Sequence, residues 1–441
     1  MTSGIQKVLV FILLLIVAAG FIPNVVMADA PAMHKIDSGD TAWILTAAAL
    51  VLLMTPGLAM FYGGMVRAKN VLGTIMHSFI AIAVVSLQWI LFGYSLAFGP
   101  DIRGIIGNLD WAGLSGVGFA PNGDYAATIP HLLFMAYQMM FAVITPALIS
   151  GAFAERMKFS SYLLFILAWT TVVYDPVAHW VWGNHGWLKQ MGVLDFAGGT
   201  VVHATSGFSA LAAALFIGKR KGFLQEPMPP HDLPMTVIGA GLLWFGWFGF
   251  NAGSALSAGE LASMAFVTTH TAAVSATLTW ILVEWLHRGK PTMFGAATGS
   301  IAGLATITPA SGYVGPMAAL VIGIAAGLLC YAALNAKTKL GYDDSLDAFG
   351  VHGIGGSLGT IMTGVFATVA INAGGANGLF FGNPHQLAVQ AGAVLVTAAY
   401  SFIVSIVLFK IIDAMIGLRV GKDEETEGLD ISQHGEAGYT H

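Results

Sequence analysis

Long runs without charge dominate the chain, and short segments rich in Lys and Arg separate them. Residues 71–97 and 354–385 contain no Asp, Glu, Lys or Arg, and each run exceeds the roughly 20 residues of a membrane-spanning helix. The pattern predicts an all-α polytopic membrane protein, because a helix satisfies its own backbone polar groups in lipid. We expect eleven transmembrane helices, beginning near Thr41, Gly73, His131, Ser160, Gly199, Leu233, Leu261, Gly295, Val314, Asp347 and Gln386.

The N-terminus has the pattern of a secretory signal peptide. Lys7 precedes an apolar stretch at 8–21, and Pro23 and the small residues around Ala28 and Ala30 follow. We expect a signal peptide over residues 1–28, cut after Ala28 or Ala30. An additional transmembrane helix is the alternative.

Composition agrees with a membrane protein. The chain has 441 residues, of which 56% are hydrophobic and 9% charged, whereas soluble proteins carry about 25% charged residues. This balance excludes a soluble enzyme and a nucleic-acid-binding protein. The single cysteine, Cys330, cannot form an internal disulfide and is expected to pack in the core.

The basic residues predict the orientation. With the mature N-terminus outside, 14 Lys and Arg fall on the inner side and three on the outer side, Lys35, Arg103 and Lys189. This positive-inside bias predicts a multi-pass protein of the cell (inner) membrane with a cytoplasmic C-terminus.

Eleven helices also divide into two inverted five-helix repeats and a final helix, an arrangement found in many transporters. The fifth and tenth helices would then be symmetry mates, and each carries a His in a segment of small residues, His203 and His352. The membrane domain is expected to span residues 29–420, followed by an acidic tail at 421–441.

His203 and His352 are the first functional candidates, because an ionisable side chain inside a span is costly to bury. An apolar channel favours the neutral imidazole, and two neutral rings in contact can share one hydrogen. Such a pair would offer hydrogen bonds to a small neutral amine and a route for a proton. Two separate helix-packing histidines are the alternative. A metal site is disfavoured because no Cys or second His lies at ligand spacing.

An aromatic cluster is the second candidate. Tyr137 and Phe141 share a helix face, Trp182 closes the fourth span, and Ser254 lies near the same membrane surface. Aromatic faces with one hydroxyl acceptor could bind a small cation that donates hydrogen bonds. The alternative is that these aromatic side chains belong to the belt of Trp and Tyr found at the membrane–water interface.

Six segments in order resemble the bacterial Amt branch of the Amt/Mep/Rh family of ammonium transporters. They are PGLAMFYGG at 56–64, GAFAER at 151–156, DFAGGTVVH at 195–203, GWFGFNAGS at 246–254, FGVHG at 349–353 and GLRV at 417–420. The resemblance implies a homotrimer with one pore per subunit and no cofactor.

The resemblance also implies a role for each candidate. Phe141, Trp182 and Ser254 would form the outer ammonium recruitment site, to which Tyr137 would contribute. Phe141 and Phe250 would form the gate below it.

Deeper in the same path, His203 and His352 would be the twin histidines of the pore, and Trp247 would line the adjoining wall. Asp195 is similar to the family aspartate that supports the recruitment site and pore, a role compatible with a helix N-cap.

These implications predict ammonium uptake: NH4+ is recruited, loses its proton, and passes the twin histidines as ammonia. The tail resembles the family tail in its segments EGLD at 427–430 and HGE at 434–436. This resemblance implies contacts with a neighbouring subunit and regulation by a cytosolic PII-type protein. Two alternatives remain, an ammonium sensor (transceptor) that signals through the tail and an Rh-type gas channel. Trp182 disfavours the gas channel, and an enzyme would need a nucleophile or metal constellation that the sequence lacks.

Overall fold

A computed structural model describes residues 35–439, so the predicted signal peptide lies outside the described residues. The α-helices are α1 (Ser38–Met65), α2 (Val71–Gln88), α3 (Tyr94–Phe98), α4 (His131–Ile149), α5 (Phe159–Trp169), α6 (Asp175–Trp182), α7 (Trp187–Gln190), α8 (Thr205–Ile217), α9 (Leu233–Trp247), α10 (Glu260–Arg288), α11 (Met293–Ile307), α12 (Pro316–Leu340), α13 (Ile354–Phe366), α14 (Pro384–Ile416) and α15 (Lys422–Glu427). Short 3-10 helices are Ala68–Asn70, Ala112–Leu114, Ser150–Ala152 and Leu379–Phe381. Two short strands, β1 (Asp101–Ile102) and β2 (Ile106–Gly107), pair antiparallel with Asp101 opposite Gly107.

A helix begins within three residues of every start predicted from the sequence. Nine helices among residues 35–439 are long and apolar enough to cross a membrane, and the apolar helix Met293–Ile307 is shorter. The protein is therefore a multi-pass membrane protein. The count of eleven spans and the inverted repeat stay predictions.

π-helical turns interrupt two of the long helices and begin or end three others. They are Trp89–Gly93, Thr170–Tyr174, Gly199–Ala204, Phe248–Ala252 and Phe349–Gly353, and a sixth, Asp430–His434, lies in the tail. Such turns are frequent at functional sites because they redirect side chains locally. His203, Phe250 and His352 each lie in one of them.

The two histidine-bearing segments cross at close range because glycines occupy the contact. A Cβ atom added at Gly207 would lie 2.1 Å from the backbone nitrogen of Gly353, and one at Gly356 would lie 2.6 Å from the Cβ of His203. Small residues of this kind let membrane helices approach closely. The crossing places the backbones of His203 and His352 next to each other.

One end of the bundle, called the tail end below, carries a buried ion cluster. Arg220 donates two hydrogen bonds from its guanidinium to the carboxylate of Asp343, at 2.9 Å each, and a third from its backbone at 2.8 Å. Burial acts to raise the pKa of Asp343, but Arg220 and Arg156 outweigh it, and the pKa lies below its ordinary 3.8.

The tail packs against this end of its own chain. Glu425 is buried and accepts hydrogen bonds from the backbone of Lys221, at 2.6 Å, and from Arg419, at 2.8 Å. Asp430 accepts from the backbone of Gly73 in the first turn of α2, at 2.8 Å. The docked tail therefore touches three different segments of the same subunit.

Candidate functional site

A cavity of about 300 Å³ opens at the end of the bundle opposite the tail, and we call it the vestibule. Its lining includes Phe134, Gln138, Phe141, Trp182, Asp195, Ser254 and Tyr313. The structure thus brings the predicted residues Phe141, Trp182 and Ser254, from three separate spans, to one cavity.

Aromatic rings form the floor of the vestibule. The ring centroids of Phe141 and Phe250 are 4.2 Å apart, and both side chains are buried. The Trp182 ring stands edge-on to Phe141 with centroids 6.0 Å apart, and its indole nitrogen donates to the carbonyl of Asp195 at 2.9 Å. The tryptophan is therefore held over the floor by a fixed hydrogen bond.

Tyr137 lies behind this floor. It is fully buried, and its hydroxyl lies 2.9 Å from the carbonyl oxygens of Gly249 and Phe250 and 3.3 Å from the Oγ of Ser254. Ser254 in turn donates to the Phe250 carbonyl at 2.8 Å, which leaves its lone pairs available to the vestibule. Tyr137 is not among the residues that line the cavity, so in this structure it positions Ser254 and Phe250.

Below the floor, His203 and His352 face each other. Their Nδ1 atoms are 3.2 Å apart and their rings are nearly parallel, at 12°. Both are buried, and a short contact between two ring nitrogens requires one donor and one acceptor. A hydrogen bond between them therefore uses the N–H of one ring and the lone pair of the other, and the neutral state of both rings stays a prediction. The Nε2 of His203 has no hydrogen-bond partner in the structure.

Two small cavities flank this pair. One, of about 10 Å³, is lined by His203, His352, Trp247 and Phe250 together with aliphatic side chains, and the other, of similar volume, is lined by His352, Tyr62 and Asp347. A cavity needs about 10–15 Å³ to hold one water molecule. Each of the two small cavities therefore has room for about one small molecule, and we refer to the vestibule, the histidine pair and these cavities together as the path.

Trp247 and Asp195 support the path. The Trp247 ring stacks beside His203 with centroids 5.5 Å apart, and its indole nitrogen donates to Thr308 at 2.9 Å. The Asp195 carboxylate accepts hydrogen bonds from the backbones of Gly198, Gly199, Thr200 and Val201 and from the Thr200 hydroxyl. It thereby binds the first turn of the helix that carries His203, from a position three residues before Gly198, which is the N-cap residue of that helix.

Sequence reasoning missed Gln138. It lies on α4 between Phe134 and Phe141, lines the vestibule, and its Oε1 atom has no hydrogen-bond partner in the structure. The spacing of 134, 138 and 141 at helical periodicity would have indicated it. In residues 35–439 no group of three or more His, Cys, Asp or Glu is placed to hold a metal ion.

The apolar helices define a multi-pass membrane protein, and comparisons identify its family. Residues 42–439 match the Ammonium Transporter Family. The ammonium transporter of Bacillus subtilis is 55% identical over 402 residues, covering 91% of this chain and 98% of that protein. The crystal structure of Saccharomyces cerevisiae Mep2 superposes with a TM-score of 0.83 at 37% identity, covering 88% of this chain and 89% of that one. A solved Sensor Amt Protein superposes with a TM-score of 0.82 at 30% identity, covering 90% and 98%.

The chain belongs to the Ammonium Transporter Family, as its sequence motifs predict. Membership supports ammonium transport and a transporter or channel role for the protein.

Proposed function

We propose that the chain takes up ammonium by binding NH4+ in the vestibule, removing its proton there, and conducting ammonia past His203 and His352. The observation that carries the proposal is the buried, hydrogen-bonded histidine pair in an otherwise apolar path. The proton moves separately from the ammonia.

Phe141, Trp182 and Ser254 are proposed to recruit NH4+. The aromatic faces attract the cation, and the Ser254 oxygen and the unpaired Oε1 of Gln138 accept hydrogen bonds from it. Tyr137 is proposed to act indirectly, by fixing Ser254.

The energies favour loss of the ammonium proton before the substrate passes the floor formed by Phe141 and Phe250. A cation–π contact contributes about 0.5–2 kcal/mol, whereas a charge at the bilayer centre costs about 2.5–3.5 kcal/mol even on insertion scales. The cavity around the histidines has room for about one small molecule and no hydration shell. Neutral ammonia fits this space, and the Nε2 of His203 offers it a hydrogen-bond partner.

We further propose that the vestibule faces the outside of the cell and that the tail lies in the cytoplasm, because the basic residues concentrate at the tail end. Residues 29–420 would form the membrane domain of a homotrimer. Residues 421–441 would form a regulatory tail that binds a PII-type protein. The hydrogen bonds of Glu425 and Asp430 to the membrane domain support this role, because a displacement of the tail would change contacts of that domain. Residues 1–28 would be the signal peptide.

The test replaces His203 and His352 by Ala, singly and together, in protein reconstituted into liposomes. We expect ammonium-selective flux, followed by an internal pH dye and by transient currents against a potassium control, to fall sharply or lose selectivity. His385→Ala is the matched control, because His385 is exposed and lies outside the path. Normal ammonium-selective transport in the double variant would refute the mechanism.

An ammonium sensor is the second candidate function, because the fold also superposes on the Sensor Amt Protein. Ammonium binding in the vestibule without flux in the same liposomes would favour it over transport.

A further inference from the structure

His179 is a fully buried histidine that lies three residues before Trp182 on α6 and is not among the residues that line the vestibule. Its Nδ1 atom lies 2.9 Å from the carbonyl oxygen of Ala97, and its Nε2 atom lies 2.8 Å from Oδ1 of Asp101. A carbonyl and a carboxylate oxygen only accept hydrogen bonds, whereas a neutral imidazole has one N–H and one lone pair. A neutral ring beside an ionised Asp101 would therefore turn a lone pair toward one of these two oxygens.

One additional proton makes both contacts favourable. An imidazolium donates from both nitrogens, and the charge of the Asp101 carboxylate balances that of the ring. Ala97 lies in the last turn of α3, where the helix dipole favours a cation. The side chain of Asp101 is 19% exposed, whereas that of His179 is fully buried, so the pair exchanges this proton with water through Asp101.

The pair joins the end of α6 to the hairpin formed by β1 and β2. The hairpin is fixed on α3, because Gly107 lies so close to that helix that an added Cβ atom would lie 2.2 Å from the carbonyl oxygen of Ser95. Three contacts link the hairpin to α6 and the segment after it: His179 to Asp101, the indole nitrogen of Trp180 to the Ile105 carbonyl at 2.7 Å, and the backbone nitrogen of Trp187 to the Gly104 carbonyl at 3.1 Å. Of these three contacts, the first alone depends on a titratable proton.

Among residues 35–439, the other ionisable side chains on the surrounding elements are exposed or bond elsewhere. The exposed ones are Arg103, Asp110, Asp124 and His185. The bonded ones are Tyr94 to His131, Tyr125 to the carbonyl of Phe98, Lys189 to the carbonyl of Trp182, and Asp175 to Gln88. The additional proton therefore belongs to His179 and Asp101 themselves.

We propose that the protonated pair of His179 and Asp101 positions Trp182 at the recruitment site, and that the site binds ammonium less tightly when the pair loses this proton. Trp182 is the last residue of α6, and its ring stands edge-on to Phe141 of the floor. Without the proton, one contact of His179 becomes repulsive and releases the turn that carries Trp182. The affinity for ammonium therefore falls as the external pH rises. This inference rests on the proposed function, because it takes Trp182 as part of the site that recruits NH4+.

The test measures KM, expressed as the concentration of NH4+, and the maximal rate of ammonium-selective flux for the full chain in liposomes between external pH 6 and pH 9. The wild-type KM should rise about threefold or more over this range, the effect of losing one net hydrogen bond. In His179→Gln the amide can reach Asp101 but does not titrate or donate to Ala97, so KM should be raised and independent of pH, with an unchanged maximal rate. His185→Gln is the matched control, because His185 is exposed after α6, and it should behave as the wild type.

Nitrogen NMR of histidine-labelled protein in the same liposomes reports on the proton directly, and at pH 7 it should show a doubly protonated ring that is missing from His179→Gln. A wild-type KM independent of pH, or a KM and pH profile in His179→Gln equal to those of the wild type, would overturn the proposal. Should His179→Gln fail to assemble, Asp101→Asn can donate to a neutral ring and should keep a low KM without pH dependence, and a retained pH dependence is equally fatal. Failure of the proposed function is distinguishable, because the wild type would then lack ammonium-selective flux while the NMR signal still reports on His179.

Discussion

Gly207 provides the sharpest test of how the histidine pair is held. It lies one helical turn after His203, against the backbone that carries His352. A methyl group at this position would lie 2.1 Å from the nitrogen and 2.2 Å from the Cα of Gly353. Gly207→Ala should therefore push the two histidine-bearing segments apart by steric clash, without altering any residue of the path.

The size of the displacement follows from these distances. Ordinary van der Waals contact begins at 3.4 Å, so the facing backbone must retreat by 3.4 − 2.1 = 1.3 Å. The Nδ1 atoms of His203 and His352 are now 3.2 Å apart, and a retreat of this size carries them past about 3.5 Å, where the hydrogen bond is lost. Overpacking of a core costs about 1–3 kcal/mol of stability, so the variant should still fold.

Ammonium-selective flux in liposomes, normalised to the amount of folded protein, should fall at least about tenfold in Gly207→Ala, because displacements near 1 Å are that costly in a preorganised site. A structure of the variant should show the two histidine rings separated. Gly241→Ala is the matched control, since a methyl group there meets nothing within 4 Å and alanine favours the helix.

Wild-type flux in Gly207→Ala, with the rings separated, would refute the claim that the shared hydrogen matters. Rings still in contact would instead refute the claim that the glycine crossing sets their distance. A loss of flux in Gly241→Ala as large as in Gly207→Ala would show that any added methyl group disturbs transport.

Three further predictions concern the supports of the path. Asp195→Ala strips the hydrogen-bond acceptor from four buried backbone N–H groups and should lower the free energy of unfolding by at least about 3 kcal/mol, measured by chemical denaturation in detergent. Because the pKa of Asp343 is lowered, its pairing with Arg220 stabilises the fold above about pH 4, and this stabilisation is lost as the pH falls through the lowered pKa. Asp343→Asn should therefore have a lower free energy of unfolding at neutral pH and lose less of it on acidification. A steeper loss of stability in acid for this variant would contradict the argument. Glu425→Ala should expose the tail to proteolysis, whereas the exposed Glu427→Ala should not, and equal cleavage rates would refute the docking argument.

The sequence located the helices well because the rule that fixes them is local. In lipid, each span must bond its own backbone groups, so charge-free runs such as 71–97 become helices whatever their neighbours are. The motifs around His203 and His352 likewise indicated the family, which the comparisons confirm.

Several site features could not be predicted from local pattern. Tyr137 shares a helix face with Phe141, which suggested a place in the cation site, yet its hydroxyl bonds the backbone of another span. Gln138 was overlooked because it is neither ionisable nor aromatic; its spacing from Phe134 and Phe141 places it on their helix face, but only the cavity shows that this face lines the vestibule.

The sequence by itself determined the class of protein, the helix positions and the residue types available for the site. Tertiary structure alone decided that the Nδ1 atoms of His203 and His352, 149 positions apart in the chain, lie 3.2 Å from each other, and that Gly207 packs against the backbone of Gly353. The reason is physical: a hydrogen bond requires its atoms to lie within a few tenths of an ångström of a fixed distance, and that distance depends on how whole helices cross.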